Sequence, residues 1–143
     1  MENEKTAMEK TEVQKAAESG AALGSRSLTK EQIISADDCE KEKVEVPEWG
    51  GFVWVYALTA RERDEFEETT IEGRGKKTKR NLKNLRARLC ARCIRNENGK
   101  RLFKGDEILK LGEKSAKALE RVFSVAQRLC GMTDEDVEDL VGN

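Results

Sequence analysis

Residues 44–68 read VEVPEWGGFVWVYALTARERDEFEE and contain the clearest structural signals of the chain. Apolar and polar side chains alternate at 44–46, and a turn with two glycines follows at 47–51. Residues 52–56 then alternate aromatic side chains with valines, which is typical of a strand with two different faces. The pattern predicts a β-hairpin with a connection of five residues. Trp54, on the aromatic face, is expected in the core.

A helix is predicted to begin directly after this hairpin. Thr59 and Glu62 have the spacing of a capping box, in which the threonine hydroxyl accepts from the Glu62 N–H. The Glu62 carboxylate in turn accepts from the Thr59 N–H. The hairpin and the helix are therefore joined with almost no connecting residues.

The chain is expected to consist of a disordered arm at 1–26 and a single domain at 27–143. The arm contains Glu, Lys, Ala, Ser and Gly with almost no large apolar side chain, so burial cannot offset the entropy of ordering it. The whole chain has 143 residues, of which 37% are hydrophobic and 38% charged. This composition predicts a small, highly solvated core.

Helical patterns recur on both sides of the hairpin. A short helix before the hairpin is predicted to be anchored by Ile33 and Ile34. After the hairpin and its helix, residues 69–80 are expected to form a mobile loop. An Asn-Gly turn at 96–99 is expected to lead into a strand at 101–103 that returns to the sheet. The predicted helices, besides the one capped by Thr59, span 30–36 with Thr29 as the cap, 81–92, 106–111, 116–130 closed by Gly131, and 134–141 capped by Thr133. We expect an α+β fold in which a small antiparallel sheet packs against several helices.

No catalytic or membrane signature accompanies these elements. Histidine is absent from the sequence, no serine lies in a Gly-x-Ser-x-Gly turn, and the carboxylate pairs lie at predicted helix starts and surfaces. No apolar run reaches the roughly 18 residues that a membrane helix needs, and the polar first residues do not resemble a signal peptide. These features predict a soluble, cytoplasmic protein that is not an enzyme and has no cofactor.

Four cysteines are present, and two of them, Cys90 and Cys93, have the C-x-x-C spacing of half a zinc site or a redox pair. Cys39 and Cys130 are single cysteines that do not form a second closely spaced pair. No thioredoxin-like strand precedes Cys90 and Cys93. We interpret the four as small, buried or half-buried apolar side chains with free thiols. An adventitious metal site is the alternative, and no metal is assigned.

Positive charge is concentrated between residues 74 and 104, where thirteen Lys or Arg side chains accompany one acid, Glu97. The net charge of this basic block is +12, whereas the whole chain has a net charge of −1. Three interpretations remain open: charge balance against the acidic helices at 61–68 and 134–139, docking of an acidic or amphipathic protein, and phosphate binding. Nucleic acid is the least favoured, because Phe103 is the block's single aromatic side chain.

The order of the motifs resembles the tail assembly chaperones of long-tailed, siphophage-type bacteriophages and prophages. The resemblance covers roughly residues 28–140. Its motifs are LTKEQIISADD, PEWGG, the valine-rich strand, ALTARERDEFE, NLKNLRARL, NENGKRLF and LGEKSAKALERVFSVAQRLCGMTDEDVEDL. This resemblance implies a non-catalytic chaperone in the host cytoplasm that binds the tape-measure protein and helps recruit tail-tube subunits. It also implies absence from the finished virion.

Exposure and charge, rather than a family motif, indicate candidate partner-binding residues. Trp49, at the hairpin turn, either packs on its own turn or anchors an interface. A helix face with arginines at i, i+4 and i+7 is expected to be exposed, so that glutamate substitutions there would weaken binding without unfolding the domain. The candidates are Trp49, Arg74, Lys76, Lys77, Lys79, Arg80, Arg88, Arg92 and Arg95. The alternative function is a small phage-encoded nucleic-acid-binding or regulatory protein, and the expected oligomeric state is a monomer or weak oligomer.

Overall fold

The computed structural model describes residues 26–142, whose contacts divide them into two units, 26–38 and 39–142. The first unit contains helix α1 (Lys30–Ser35), which begins with the predicted capping box of Thr29 and Gln32. Ile33 and Ile34 are 59% and 74% exposed, so the prediction that they anchor this helix is wrong. The predicted arm lies outside the described residues except for Arg26.

The second unit contains five strands and five helices. The strands are β1 (Lys41–Val46), β2 (Gly51–Tyr56), β3 (Ile71–Glu72), β4 (Lys79–Arg80) and β5 (Ile94–Arg95). The helices are α2 (Ala60–Thr69), α3 (Leu85–Cys93), α4 (Glu107–Gly112), α5 (Ala116–Leu129) and α6 (Asp134–Gly142). The α+β class is thereby confirmed, and none of the helices between residues 26 and 142 is long and apolar enough to cross a bilayer.

A three-stranded antiparallel sheet in the order β1-β2-β5 lies at the centre of this unit. The predicted hairpin is confirmed, with Val44 opposite Val53 and Val46 opposite Gly51. A 3-10 turn (Pro47–Trp49) joins its strands, and Gly50 closes the turn in the left-handed conformation at φ +76°.

The core forms on the valine face of the hairpin, not on its aromatic face. Val44, Val46 and Val55 are buried there, together with Phe66 of α2 and the apolar sides of α3 and α5. The prediction that Trp54 lies in the core is wrong, because its neighbours Val53 and Val55 contribute the core-facing side chains of β2. Successive strand residues point to opposite faces, so Trp54 lies on the outer face of the sheet.

Several element boundaries differ from the predictions. Helix α3 begins at Leu85 instead of residue 81, because Asn84 takes the left-handed conformation at φ 55° and interrupts the helix there. The third strand is β5, directly after α3, and Arg101 contributes a single bridge to Arg95 instead of the predicted strand 101–103. Ile94 is fully buried, so its apolar side chain fixes β5 beside β2.

Residues 69–80, predicted to form a mobile loop, contain two short paired strands. Strands β3 and β4 pair as a small antiparallel hairpin, with Ile71 opposite Arg80 and Glu72 opposite Lys79. Gly73 has φ +92°, and a Cβ atom there would clash with the carbonyl oxygen of Lys77. Glycine is therefore required for the tight end of this hairpin.

The remaining predicted elements are confirmed. Glu62 and Thr59 form the capping box of α2, with distances of 3.0 and 3.2 Å. The turn at 96–99 has Gly99 at φ +82°, and Gly131 ends α5 at φ +69°. Thr133 caps α6 through its hydroxyl, which accepts from the Asp136 N–H at 3.0 Å.

Candidate partner-binding site

The predicted arginine face is mostly built into the fold. Arg88 donates to the carbonyl oxygens of Thr69 at 2.8 Å and of Asn81 at 2.5 Å, so it ties α3 to the two ends of the β3–β4 hairpin. Burial lowers the pKa of Arg88. The Arg92 guanidinium lies 5.7 Å from the centre of the Phe66 ring, and burial followed by repulsion from Arg101 lowers its pKa. Both side chains stabilise the packing of α3 against its neighbours.

Arg95 is largely enclosed, with 14% of its side chain exposed. It donates to Glu62 at 2.7 Å, and Arg101 donates to the same carboxylate oxygen at 3.2 Å. The expectation of an exposed face is therefore wrong for Arg95. Replacing all three arginines by glutamate would place a carboxylate beside Glu62 in place of Arg95 and would disturb the α3 contacts, so that variant cannot separate binding from stability.

Glu62 is the centre of a charged cluster that also caps α2. Burial acts to raise the pKa of its carboxyl group, but the Thr59 N–H, Arg95 and Arg101 together lower that pKa to about 2. The cluster joins α2 to β5 and to the segment that follows the 96–99 turn. Part of the basic block thus serves charge balance against α2, as one interpretation held.

Arg86 and Arg63 form ion pairs outside the Glu62 cluster. Arg86 of the basic block donates to Glu120 of α5 at 2.7 Å. The acidic start of α6 is approached by Arg63 of α2, which lies 3.8 Å from Asp136. The ion pairs of the basic block seen within residues 26–142 are made with α2 and α5, so charge balance against α6 stays a prediction.

The β3–β4 hairpin carries five of the nine exposed cations of the basic block. All residues from 71 to 80 are exposed, so the predicted candidates Arg74, Lys76, Lys77, Lys79 and Arg80 lie together on one small projection. The base of the hairpin is fixed by Asn81, whose side-chain amide donates to Glu72 at 2.7 Å. This basic hairpin is a concentrated positive surface.

Trp49 lies in a cleft that sequence reasoning did not predict. Its side chain is half-buried and packs against the core, as do Phe103 and the buried Leu111. The tryptophan cleft comprises Glu48, Trp49, Phe103, Lys110, Leu111 and Lys114. It combines an apolar floor, continuous with the core, and two lysines from α4 and the residues after it. The contributing segments are about 60 residues apart in sequence, so no local pattern indicates the cleft.

The outer face of the sheet is the second apolar surface. Phe52 is 46% exposed and meets Trp54 edge to face, with ring centres 5.9 Å apart. Lys43 lies 4.2 Å from the Phe52 ring centre, and Lys41 lies 5.0 Å from that of Trp54. These cation–π contacts cover much of the aromatic face with the lysines of β1.

The cysteines occupy different environments. Cys90 and Cys93 are buried, Cys130 is half-buried and Cys39 is exposed, so the interior or half-interior interpretation holds for three of the four. The Sγ atom of Cys93 lies 4.0 Å from that of Cys130, whereas the Cys90 thiol donates to the Leu119 carbonyl oxygen. Among the described residues, no three Cys, Asp or Glu side chains are grouped to hold a metal ion.

The described residues form a small α+β fold with three distinctive surface features: an apolar cleft, a basic hairpin and an aromatic sheet face. The chain belongs to the phage tail assembly chaperone family, since the family model matches residues 29–140. Comparison with curated proteins and with solved structures gave no match. Membership of this family assigns the protein to phage tail assembly, with tail proteins as its partners.

Proposed function

We propose that this protein is a non-catalytic chaperone that binds the tape-measure protein in the host cytoplasm and helps recruit tail-tube subunits. It leaves before the virion is complete. The match to the tail assembly chaperone family over residues 29–140 is the observation that carries this proposal. The general role in tail assembly follows from the family, and the identity of the partner is the part that needs an experiment.

The tryptophan cleft is the proposed docking site for an amphipathic helix of the tape-measure protein. Helices bind in grooves by inserting apolar side chains from one face, and a partly buried tryptophan is a frequent energetic centre of such interfaces. Trp49 and Phe103 supply that apolar surface here. Lys110 and Lys114 would pair with acidic side chains at the edge of the same helix.

Masking of apolar surface explains how such binding would assist assembly. A long tape-measure helix exposes apolar side chains until tube subunits surround it, and exposed apolar segments aggregate. A small cleft buries little area and so binds weakly. Weak binding lets tube subunits displace the chaperone, and the exposed basic hairpin would raise the rate of encounter with an acidic partner.

Co-expression with the tape-measure protein encoded by the same phage or prophage tests the proposal. The expected result is co-purification and an increase in soluble tape-measure protein. Trp49→Ala should reduce capture at least tenfold, since loss of a central tryptophan typically costs about 2 kcal/mol or more of binding free energy. Trp54→Ala is the matched control, because Trp54 is a half-buried tryptophan on the outer sheet face.

The capture results either identify the docking surface or contradict the chaperone proposal. Loss of capture by Trp54→Ala alone would transfer the docking site to the aromatic sheet face. Absence of capture by the folded wild-type chain, together with insoluble tape-measure protein, would contradict the chaperone proposal. Circular dichroism and thermal unfolding of both variants confirm that any loss reflects binding.

The basic hairpin supports a second candidate function, nucleic-acid binding. Five exposed Lys or Arg residues between 74 and 80 could neutralise phosphates. Binding of the full chain to DNA and RNA at physiological salt would favour this function, provided that replacing Lys76, Lys77 and Lys79 by glutamine abolishes it. No binding to either polymer at that salt would eliminate it.

A further inference from the structure

Two cysteines from separate core helices lie side by side. Cys93 is the last residue of α3 and Cys130 directly follows α5, and their Sγ atoms are 4.0 Å apart. Cys93 is fully buried, whereas Cys130 is half-buried and closer to solvent. A disulfide has an S–S length of about 2.05 Å, so the two sulfurs must approach by about 2 Å to bond.

The surroundings of Cys130 favour its thiolate. The Leu58 N–H donates to Cys130 Sγ at 3.4 Å, and the Cys93 thiol is placed to donate to the same sulfur. Arg63 adds a positive charge nearby and donates to the Cys130 carbonyl oxygen at 3.3 Å. The hydrogen bond from Cys93 is the main cause that lowers the pKa of Cys130, and it outweighs burial, which acts to raise that pKa.

The buried thiols of Cys90 and Cys93 lack surroundings that favour a thiolate. Burial raises the pKa of Cys90 to about 12, and its Sγ donates to the Leu119 carbonyl oxygen at 3.8 Å. This hydrogen bond directs the Cys90 thiol toward the α5 backbone and not toward Cys93 and Cys130. The hydrogen bond to Cys130, and then burial, raise the pKa of Cys93. Cys130 is accordingly the attacking thiol of the pair and Cys93 the resolving thiol.

We propose that Cys130 and Cys93 form a thiol–disulfide exchange site that reacts with a low-molecular-weight disulfide such as oxidised glutathione. The Cys130 thiolate attacks one sulfur of the small disulfide, whose S–S bond breaks and releases one thiolate, which takes a proton from water. Cys93 then loses its proton to water and attacks Cys130 Sγ, and the second small thiol leaves. The protein loses two hydrogens in forming the Cys93–Cys130 bond, and the small disulfide is reduced to two thiols.

The product would tie the end of α3 to the end of α5 through the core. Closing a loop between residues 93 and 130 restricts the unfolded chain, so the oxidised domain should be more stable. Cytosolic disulfides are usually transient and redox-sensing, and a thiol reverses such an exchange by attacking the new S–S bond. The site thus goes beyond the proposed chaperone function and does not depend on it.

The test uses the reduced, folded full chain and oxidised glutathione, with free thiols alkylated after the reaction and peptides identified by mass spectrometry. The expected product is a Cys93–Cys130 linkage that dithiothreitol reverses. Oxidation should raise the Tm by about 10–15 °C, from the usual stabilisation by a loop of this length. Cys90→Ser should form the same linkage, whereas Cys93→Ser should stop at a glutathione adduct on Cys130.

Other products would overturn the proposal. A wild-type chain that keeps glutathione on Cys130 without forming the internal bond would show that Cys93 does not resolve it. Linkage of Cys90 to Cys93, or modification confined to the exposed Cys39, would show that the observed pair does not react. A linkage that forms only in denaturant would show that the folded geometry does not support exchange.

Discussion

Replacing Glu62 by glutamine tests whether the charged cluster at the start of α2 stabilises the fold. Glutamine keeps the side-chain length and an oxygen that can accept from the Thr59 N–H. Its amide nitrogen, however, would face the donors of Arg95 and Arg101, which now share one carboxylate oxygen at 2.7 and 3.2 Å. The variant therefore removes the ion pairs while leaving most of the helix cap.

The size of the effect follows from the pKa of Glu62. A folded-state pKa of about 2, against an ordinary value of 4.5, corresponds to at most about 3 kcal/mol of folding free energy at neutral pH. Solvent reduces this value, because 22% of the Glu62 side chain and 32% of the Arg101 side chain are exposed. We expect Glu62→Gln to lower the free energy of unfolding by about 1–2 kcal/mol at pH 7.

The pH dependence has a definite direction. Because folding lowers the pKa of Glu62, its stabilisation is complete above pH 4.5 and is lost as the pH falls from 4.5 to about 2. The difference in stability between wild type and variant should therefore shrink over that window. Urea unfolding followed by circular dichroism at pH 7, 4 and 2.5 measures this difference and cancels titrations common to both chains.

A matched control and two outcomes make the test decisive. Glu68→Gln changes an exposed carboxylate on the same helix and should alter the free energy of unfolding by less than about 0.5 kcal/mol. If Glu62→Gln lowers the free energy of unfolding no more than the control does, the stabilising role of the cluster is refuted. If Glu62→Gln lowers the free energy of unfolding equally at pH 7 and pH 2.5, the electrostatic origin of the stabilisation is refuted.

Three further substitutions probe the core, the arginine contacts and the basic hairpin. Phe66→Ala should lower the free energy of unfolding by about 3–5 kcal/mol in urea titrations, because Phe66 is 1% exposed; a loss under 1 kcal/mol would contradict its central position. Arg88→Ala should lower it by about 2 kcal/mol through the lost bonds to backbone carbonyls, whereas Arg61→Ala, at an exposed site, should change little; equal effects would contradict the structural role of Arg88. Gly73→Ala should speed amide hydrogen exchange across residues 71–80 with little change in Tm, and unchanged exchange would contradict the tight turn.

Local hydrogen bonds explain why many elements were predictable from sequence. A capping box joins residues three positions apart, so Thr59 and Glu62 specify the start of α2 without help from the rest of the chain. The alternation of 52–56 and the apolar periodicity of α5 likewise depend on neighbours within one or two turns. The same local rules failed at α3, because the left-handed conformation of Asn84 has no sequence signal as strong as glycine.

The candidate site was predictable only in part. Trp49 was singled out from its place at the turn, and the structure places it in a cleft with Phe103 and Leu111. Charge counting located the basic block but could not show which of its members form ion pairs. Those pairs depend on Glu62 and Glu120, which lie in helices 33 and 34 residues away from Arg95 and Arg86.

The sequence by itself determined the hairpin, the capped helices and the amphipathic α5, because each depends on residue types within a few positions. It also determined that the hairpin has one aromatic and one valine face. Only the tertiary structure decided that the valine face is covered, since α3 and α5 reach it from distant parts of the chain. The tryptophan cleft and the Cys93–Cys130 pair arise for the same reason: non-local packing brings together side chains whose spacing in sequence carries no periodic signal.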